Sequence, residues 1–88
     1  MHVHLENYTS KPTVFWLTPQ LARASQRSIK GARFTCSDDF QSFEKNVKTA
    51  GVLVTSSDVI RDTRFPRGAA LRAAAPELKL VHLIGAGV

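Results

Sequence analysis

The sequence has little cysteine and no long apolar run, and each shortage excludes a class of protein. Cys36 is the only cysteine among 88 residues, so no disulfide can form within the chain. No apolar stretch approaches the about 20 residues that a membrane-spanning helix needs. The first residues also lack the basic and then apolar layout of a signal peptide. We therefore expect a cytoplasmic protein that makes no use of disulfides or of a membrane.

Acidic residues are also fewer than basic ones. Twelve Lys and Arg against seven Asp and Glu give a formal net charge of +5. A nucleic-acid-binding domain normally gathers such charge on one face. Here the basic residues are spread along every predicted element, and the one local run, Arg61, Arg64 and Arg67, is interrupted by Asp58 and Asp62. The pattern favours a solvated surface over a site for nucleic acid or a phosphorylated ligand.

The composition is that of one small globular domain. Hydrophobic residues make up 43% of the chain and charged residues 22%, which is ordinary for a folded, soluble protein. A chain of this length holds a single domain. Residues 1–12 are polar and without period, so we predict an N-terminal tail there and a domain over residues 13–88.

Short apolar runs in this domain alternate with helical patterns. Thr18 and Pro19 form an N-cap followed by proline at the first helical position, which predicts a first helix that runs to Ile29 and stops at Gly31. Its inward residues are expected to be Leu21, Ala24, Ser28 and Ile29. Strands are predicted at 13–17, 32–36, 52–55 and 80–84.

Two further helices lie between these strands. Phe40, Phe43 and Val47 form one apolar stripe that predicts a second helix ending near residues 50–51. An alanine-rich third helix is predicted at 68–75 and is closed by Pro76. Residues 56–68 are predicted as a loop.

Strand and helix alternate, which predicts an α/β fold with a parallel sheet of about four strands. In the flavodoxin-like order 2-1-3-4, right-handed crossovers would put the first helix on one face and the other two on the opposite face. The third and fourth strands would then be bare on one side. We therefore expect an incomplete domain with an open apolar face that a partner or a missing helix could cover.

A glycine-bearing turn follows the last predicted strand. Gly85, Ala86 and Gly87 match two of the three glycines in the dinucleotide fingerprint G-x-G-x-x-G. The segment could be the start of a nucleotide loop, another anion-holding turn or a plain turn, and the pattern alone leaves all three open.

Residues 52–62 and 71–88 resemble the D-isomer-specific 2-hydroxyacid dehydrogenase family. The family pattern is a short strand and loop, a helix that ends in Pro-x-Leu-Lys, here Pro76 to Lys79, and a strand that runs into a glycine-bearing turn. The resemblance covers about residues 13–88. It is most specific from Val52 onward, and the first half matches only in its order of elements.

The resemblance implies the substrate-binding portion of an NAD(P)-dependent D-2-hydroxyacid dehydrogenase, a 2-keto acid reductase of the glyoxylate or hydroxypyruvate type. The backbone N–H groups of Ala86 and Gly87 would hold the substrate carboxylate, because consecutive main-chain donors form an anion-binding nest. Thr55 and Ser56 would border the same cleft with hydroxyl donors. These two hydroxyls could instead bond their own backbone.

The family's catalytic and NAD(P)-binding residues lie in a separate nucleotide-binding domain, so the resemblance implies no catalytic, cofactor-binding or metal-binding residue here. The fragment alone should be inactive, with the missing nucleotide-binding domain and further copies of itself, as a homo-oligomer, for partners. The alternatives are a stand-alone flavodoxin-like binding or regulatory module, and a truncated dinucleotide-binding domain.

The remaining chemically versatile residues are predicted to be structural. His82 should be a packed, hydrogen-bonded strand residue, and Cys36 a small buried one. His2 and His4, on the predicted tail, would make a poor metal site. The core is expected to contain Trp16, Phe34, Phe40 and Phe43.

Overall fold

The computed structural model describes residues 1–8 and 17–84. Within these ranges the chain forms four strands and four helices. In chain order the elements are β1 (His2–Glu6), α1 (Pro19–Ser28), β2 (Arg33–Ser37), α2 (Phe40–Val47), β3 (Val52–Ser56), α3 (Ser57–Arg61), α4 (Ala69–Ala74) and β4 (Leu80–Ile84).

The four strands make one parallel sheet in the order β2-β1-β3-β4. The predicted α/β fold and the predicted strand order are thereby confirmed. Because all strands run in one direction, their carboxyl ends meet at the same edge of the sheet. The chain leaves β1 toward one side and β3 toward the other, so a crevice is expected at that edge between β1 and β3.

The first strand is not where the sequence placed it. Residues 1–12 were predicted as a tail, yet His2–Glu6 forms β1, which lies between two other strands. That prediction was wrong for this segment because the face of β1 that carries His2, His4 and Glu6 is buried although it is polar. Residues 13–16 of the predicted first strand lie outside the described residues, and Leu17 is buried just before α1.

The helices cover the two faces as right-handed crossovers require. Ala22 of α1 packs with Leu5 and Leu17 on one face. On the other face Phe43 of α2 and Val59 of α3 belong to a second core cluster. The predicted apolar stripe of α2 is confirmed, since Phe43 and Val47 are both buried.

The α1 side of β4 is open among the described residues. Leu80 is 56% exposed, and His82 is exposed as well. The prediction that His82 is packed was therefore wrong: it points away from α2 on an edge strand, and α1 lies over the opposite half of the sheet. The predicted bare face is present at this strand.

Helix boundaries follow local signals. The Thr18 hydroxyl oxygen accepts a hydrogen bond from the Leu21 N–H at 3.3 Å, and Pro19 opens α1. Ile29 was predicted to face inward but is 50% exposed, because its extended backbone lies beyond the last helical turn. Ala22 is the buried residue of this helix. Gly31 then takes a positive φ of 83°, which suits glycine in the turn before β2.

The segment predicted as a loop between β3 and the last helix contains a short helix. α3 follows β3 directly, and its Val59 is fully buried among aromatic residues. The helix was not predicted because Val59, its buried residue, is surrounded in the sequence by charged residues typical of a loop. The prediction of an uninterrupted loop was wrong here.

Candidate functional site

Two of the four residues singled out by the sequence, Thr55 and Ser56, lie at the carboxyl end of β3. Ser56 pairs with Ile84, so the last residues of β3 and β4 are in register. Ala86 and Gly87, the predicted carboxylate clamp, lie outside the described residues.

Thr55 lies at this edge, but its hydroxyl proton is already donated in a hydrogen bond within the protein. The side chain is fully buried, and Oγ1 donates to the backbone carbonyl of Glu6 at 2.8 Å. The bond joins β3 to β1. In this arrangement Thr55 positions the strand and does not offer a proton to a ligand, so the alternative of a backbone-bonding hydroxyl describes it better, although the acceptor belongs to the neighbouring strand.

Ser56 is different. It is also fully buried, yet its Oγ has no hydrogen-bond partner within residues 1–8 and 17–84. It occupies the N-cap position of α3 without making a side-chain cap bond. A buried hydroxyl left without a partner costs about 1–3 kcal/mol. Of the two predicted hydroxyls, Ser56 is the one that a bound group could satisfy.

Sequence reasoning missed a second feature, a buried polar network on the α2 side of β1. His4 and Glu6 are both 0% exposed, and His4 Nε2 lies 2.8 Å from Glu6 Oε1. The Thr35 hydroxyl lies 2.6 Å from His4 Nδ1 and 2.6 Å from His2 Nε2. The Thr35 hydroxyl thus joins His2 to His4, and His4 bonds Glu6 directly.

Both ends of this network are closed by further polar groups. His2 Nδ1 lies 2.9 Å from Thr49 Oγ1 and 3.1 Å from Arg33 Nη2. At the other end the Ser37 hydroxyl donates to Glu6 Oε1, and the backbone N–H of residue 7 donates to Glu6 Oε2 at 3.1 Å. The network therefore runs from the amino edge of the sheet to its carboxyl edge.

Burial shifts the pKa values of the residues at the two ends of β1, His2 and Glu6. Desolvation raises the pKa of the Glu6 carboxyl, and hydrogen bonds from His4 and Ser37 offset part of that rise. Desolvation lowers the pKa of His2, and the nearby Arg33 guanidinium lowers it further. The sequence carried one signal for this arrangement: His2, His4 and Glu6 alternate with Val3 and Leu5, which is the period of a strand.

Two other groups have limited chemistry. Cys36 is half-buried on the α1 side, and burial raises the pKa of its thiol to about 11, as befits the structural role predicted for it. Tyr8 is 4% exposed, and the Arg64 guanidinium lies 5.1 Å from its ring centroid. Burial raises the pKa of the Tyr8 phenol. Both side chains are neutral near pH 7.

No three His, Cys, Asp or Glu side chains come together as a metal site in the part of the chain that the structure describes. Within the same ranges, no helix combines the length and the apolar character required to cross a membrane. Comparison with protein families, with curated proteins and with solved structures gives no match to this chain.

Proposed function

We propose that this chain is the substrate-binding portion of a cytoplasmic NAD(P)-dependent D-2-hydroxyacid dehydrogenase. Its role would be to hold the carboxylate of a 2-keto or 2-hydroxy acid at the carboxyl edge of β3 and β4. The observation that carries this proposal is the Ser56 hydroxyl, which has no hydrogen-bond partner among the described residues and lies at the carboxyl end of β3, where β4 also ends. Ligands of open parallel sheets bind at this edge.

The proposed contacts have distinct roles. The backbone N–H groups of Ala86 and Gly87 bind the carboxylate, and the Ser56 hydroxyl donates to the same substrate. Thr55 keeps β3 in register with β1 through its bond to the Glu6 carbonyl. In the complete enzyme, a separate nucleotide-binding domain would hold NAD(P), and the cofactor would supply the hydride that is exchanged with C2 of the acid. The resemblance implies that the acid/base for that reaction would also belong to the nucleotide-binding domain.

A binding experiment on the 88-residue chain tests the proposal. Glyoxylate and D-glycerate are titrated into ¹⁵N-labelled protein, with glycolamide as the neutral control. We expect saturable shifts of the backbone amides at 55–56 and 85–88 with the two acids and none with glycolamide. Folded protein that shows no such shifts with either acid would disprove the carboxylate site.

Two serine variants sharpen this experiment. Ser56→Ala removes the unpartnered hydroxyl and should weaken acid binding by about tenfold, the loss of one hydrogen bond to a charged group. Ser57→Ala changes the next residue and should leave the affinity as it is. Equal affinities of the two variants would remove Ser56 from the site.

An activity assay tests whether the chain is only a portion of an enzyme. The purified chain is mixed with NADH and glyoxylate, hydroxypyruvate or pyruvate, and the absorbance of NADH is followed. We expect no oxidation above the buffer blank. Turnover by the pure chain would mean that it holds its own cofactor site and acid/base, against the proposal.

The exposed face at Leu80 and His82 favours a second candidate, a stand-alone flavodoxin-like binding or regulatory module that uses this face for a protein partner. The same titrations, with NADH added as a further ligand, separate the candidates. A module of this kind would leave 55–56 and 85–88 unshifted by either acid. A truncated dinucleotide-binding domain would instead respond at 85–88 to NADH.

A further inference from the structure

A continuous row of hydrogen-bonding side chains follows β1 from one edge of the sheet to the other. We call Arg33, His2, Thr35, His4 and Glu6 the histidine relay. Consecutive members lie 3.1, 2.6, 2.6 and 2.8 Å apart in that order. The spacing is that of direct hydrogen bonds along the whole row.

The direction of every bond in the histidine relay follows from its first member. A guanidinium can only donate, so His2 Nδ1 accepts from Arg33 and a neutral His2 carries its proton on Nε2. That Nε2–H donates to the Thr35 hydroxyl oxygen, and the single hydroxyl proton of Thr35 is then directed at His4 Nδ1. The proton of neutral His4 consequently lies on Nε2 and is donated to the Glu6 carboxylate. All bonds point toward Glu6.

We propose that the histidine relay transfers a proton along β1 between His2 at the amino edge of the sheet and Glu6 at the carboxyl edge. A proton binds His2 Nδ1, and His2 passes its Nε2 proton to Thr35. Thr35 passes its own proton to His4 Nδ1, and His4 passes its Nε2 proton to Glu6 Oε1. One proton enters at His2 and one O–H bond forms at Glu6. Both histidines end neutral, with the proton on Nδ1.

The relay begins at an exposed residue, Arg33, and ends at a fully buried one, Glu6. His4 and Glu6 are 0% exposed, whereas His2 retains 7% exposure. Among the β1 members of the relay, His2 is therefore the one with exposed surface, and it lies about 13 Å along the strand from Glu6 at the usual rise per residue. Desolvation favours the neutral form of Glu6, which makes it a suitable proton acceptor.

Charged neighbours bias the relay toward its resting direction. Arg33 and the N-terminal ammonium both disfavour a proton on His2 Nδ1, and in the reversed state Arg33 Nη2 and His2 Nδ1–H would be two donors face to face. Thr49 Oγ1 is the acceptor within reach of Nδ1–H in that state. Besides His4, the Glu6 carboxylate interacts with Tyr8 and Cys36 and contributes to the raised pKa of both groups. Movement of Arg33 away from His2 would permit the reversal.

The test observes the protons directly and does not depend on acid binding. Ring ¹⁵N shifts of His2 and His4 and the ¹³Cδ shift of Glu6 are followed by NMR in the 88-residue chain as the pH is lowered. We expect both histidines to carry Nε2–H at first, and to change to Nδ1–H together, at the pH at which Glu6 becomes protonated. Either histidine becoming an imidazolium beside a charged Glu6, or a separate change of each, would overturn the relay.

Two substitutions at the middle of the relay distinguish transfer from simple packing. Thr35→Val keeps the shape of the side chain and removes its hydroxyl, so the joint change of tautomer should be lost. Thr35→Ser keeps the hydroxyl and should retain the joint change. A joint change that survives in Thr35→Val would contradict the proposal.

If Thr35→Val does not fold, Glu6→Gln gives the same information. Glutamine retains an oxygen acceptor for His4 Nε2–H but takes up no proton near neutral pH. Both histidines should then remain as Nε2–H until one becomes an imidazolium. An Nδ1–H change at the wild-type pH in this variant would also overturn the relay.

Discussion

His4 and Glu6 lie side by side with no access to solvent, and their neighbours decide whether such a pair is tolerated. Removing one partner from a buried polar pair is costly because the other loses its compensation. Here Thr35, Ser37 and the backbone N–H of residue 7 provide the remaining bonds. The pair is therefore embedded in the sheet and is not an isolated defect.

A pH dependence of stability follows from Glu6. Burial raises the pKa of its carboxyl above the ordinary value of 4.5, so the folded chain binds this proton more tightly than the unfolded chain does. The contribution of Glu6 to the free energy of unfolding is fully present below pH 4.5 and is lost as the pH rises through the folded pKa. Relative to Glu6→Gln, the wild type should lose stability over that interval in urea unfolding at a series of pH values. A wild type that gains stability relative to Glu6→Gln as the pH rises would contradict this expectation.

His2 should act in the opposite sense. Burial and Arg33 lower its pKa below the ordinary value of 6.5, so its contribution to the free energy of unfolding is present above pH 6.5 and is lost as the pH falls through the folded pKa. Comparison of the wild type with His2→Gln by the same urea series should show the wild type losing stability on acidification. A constant difference between the two proteins would show that the His2 ring titrates alike in both states.

Single residues of the candidate site were only partly predictable. The resemblance pointed to Thr55 and Ser56, but it could not tell which hydroxyl is free. That depends on the alignment of β3 with β1, which brings Thr55 Oγ1 to the Glu6 carbonyl and leaves Ser56 without a partner among the described residues. Such alignment arises from tertiary pairing and not from local sequence.

Among the elements, α2 and β4 were predicted well and β1 was not. The stripe of α2 follows the usual assignment of apolar residues to the interior, whereas the apolar run of β4 predicted a strand correctly although Leu80 and Leu83 are exposed. β1 breaks that assignment because Thr35 and Ser37 on the adjacent strand satisfy its polar face. The alternation over residues 2–6 was a strand signal, but its polar half was read as solvent-facing.

The N-terminus of α1 offers a test of helix capping. Thr18→Ala removes the oxygen that accepts from the Leu21 N–H and should lower the free energy of unfolding by roughly 1 kcal/mol. Thr18→Ser keeps the acceptor and should stay near the wild type in urea unfolding. Equal losses in both variants would mean that the methyl group of Thr18, and not its hydroxyl, stabilises this end.

Across the whole molecule, the right-handedness of the crossover connections determines which helices cover which face of the sheet. The first crossover runs from β1 to one side, and the later ones run to the other, so α1 lies opposite α2, α3 and α4. This distribution was predictable because right-handed crossovers are nearly universal. It also explains why Leu80 is exposed on the α1 side of the sheet.

This exposed face should make the chain self-associate. We expect sedimentation at rising concentration to show dimers or larger species, because burying Leu80 and its neighbours removes apolar surface from water. Leu80→Lys should weaken the association. Gln41→Lys adds the same charge on α2 and should not. A compact monomer at high concentration would argue against this face as an interface between copies.

The central position of β1 has a consequence for how fast the sheet can form. Val3 pairs with Val52 and Leu5 with Val54, so the middle of the sheet joins segments about fifty residues apart. Closing such a long loop costs chain entropy before the pairing returns any stability. After dilution from denaturant, this chain should therefore regain its structure more slowly than a helical bundle of equal length, even where the two are equally stable.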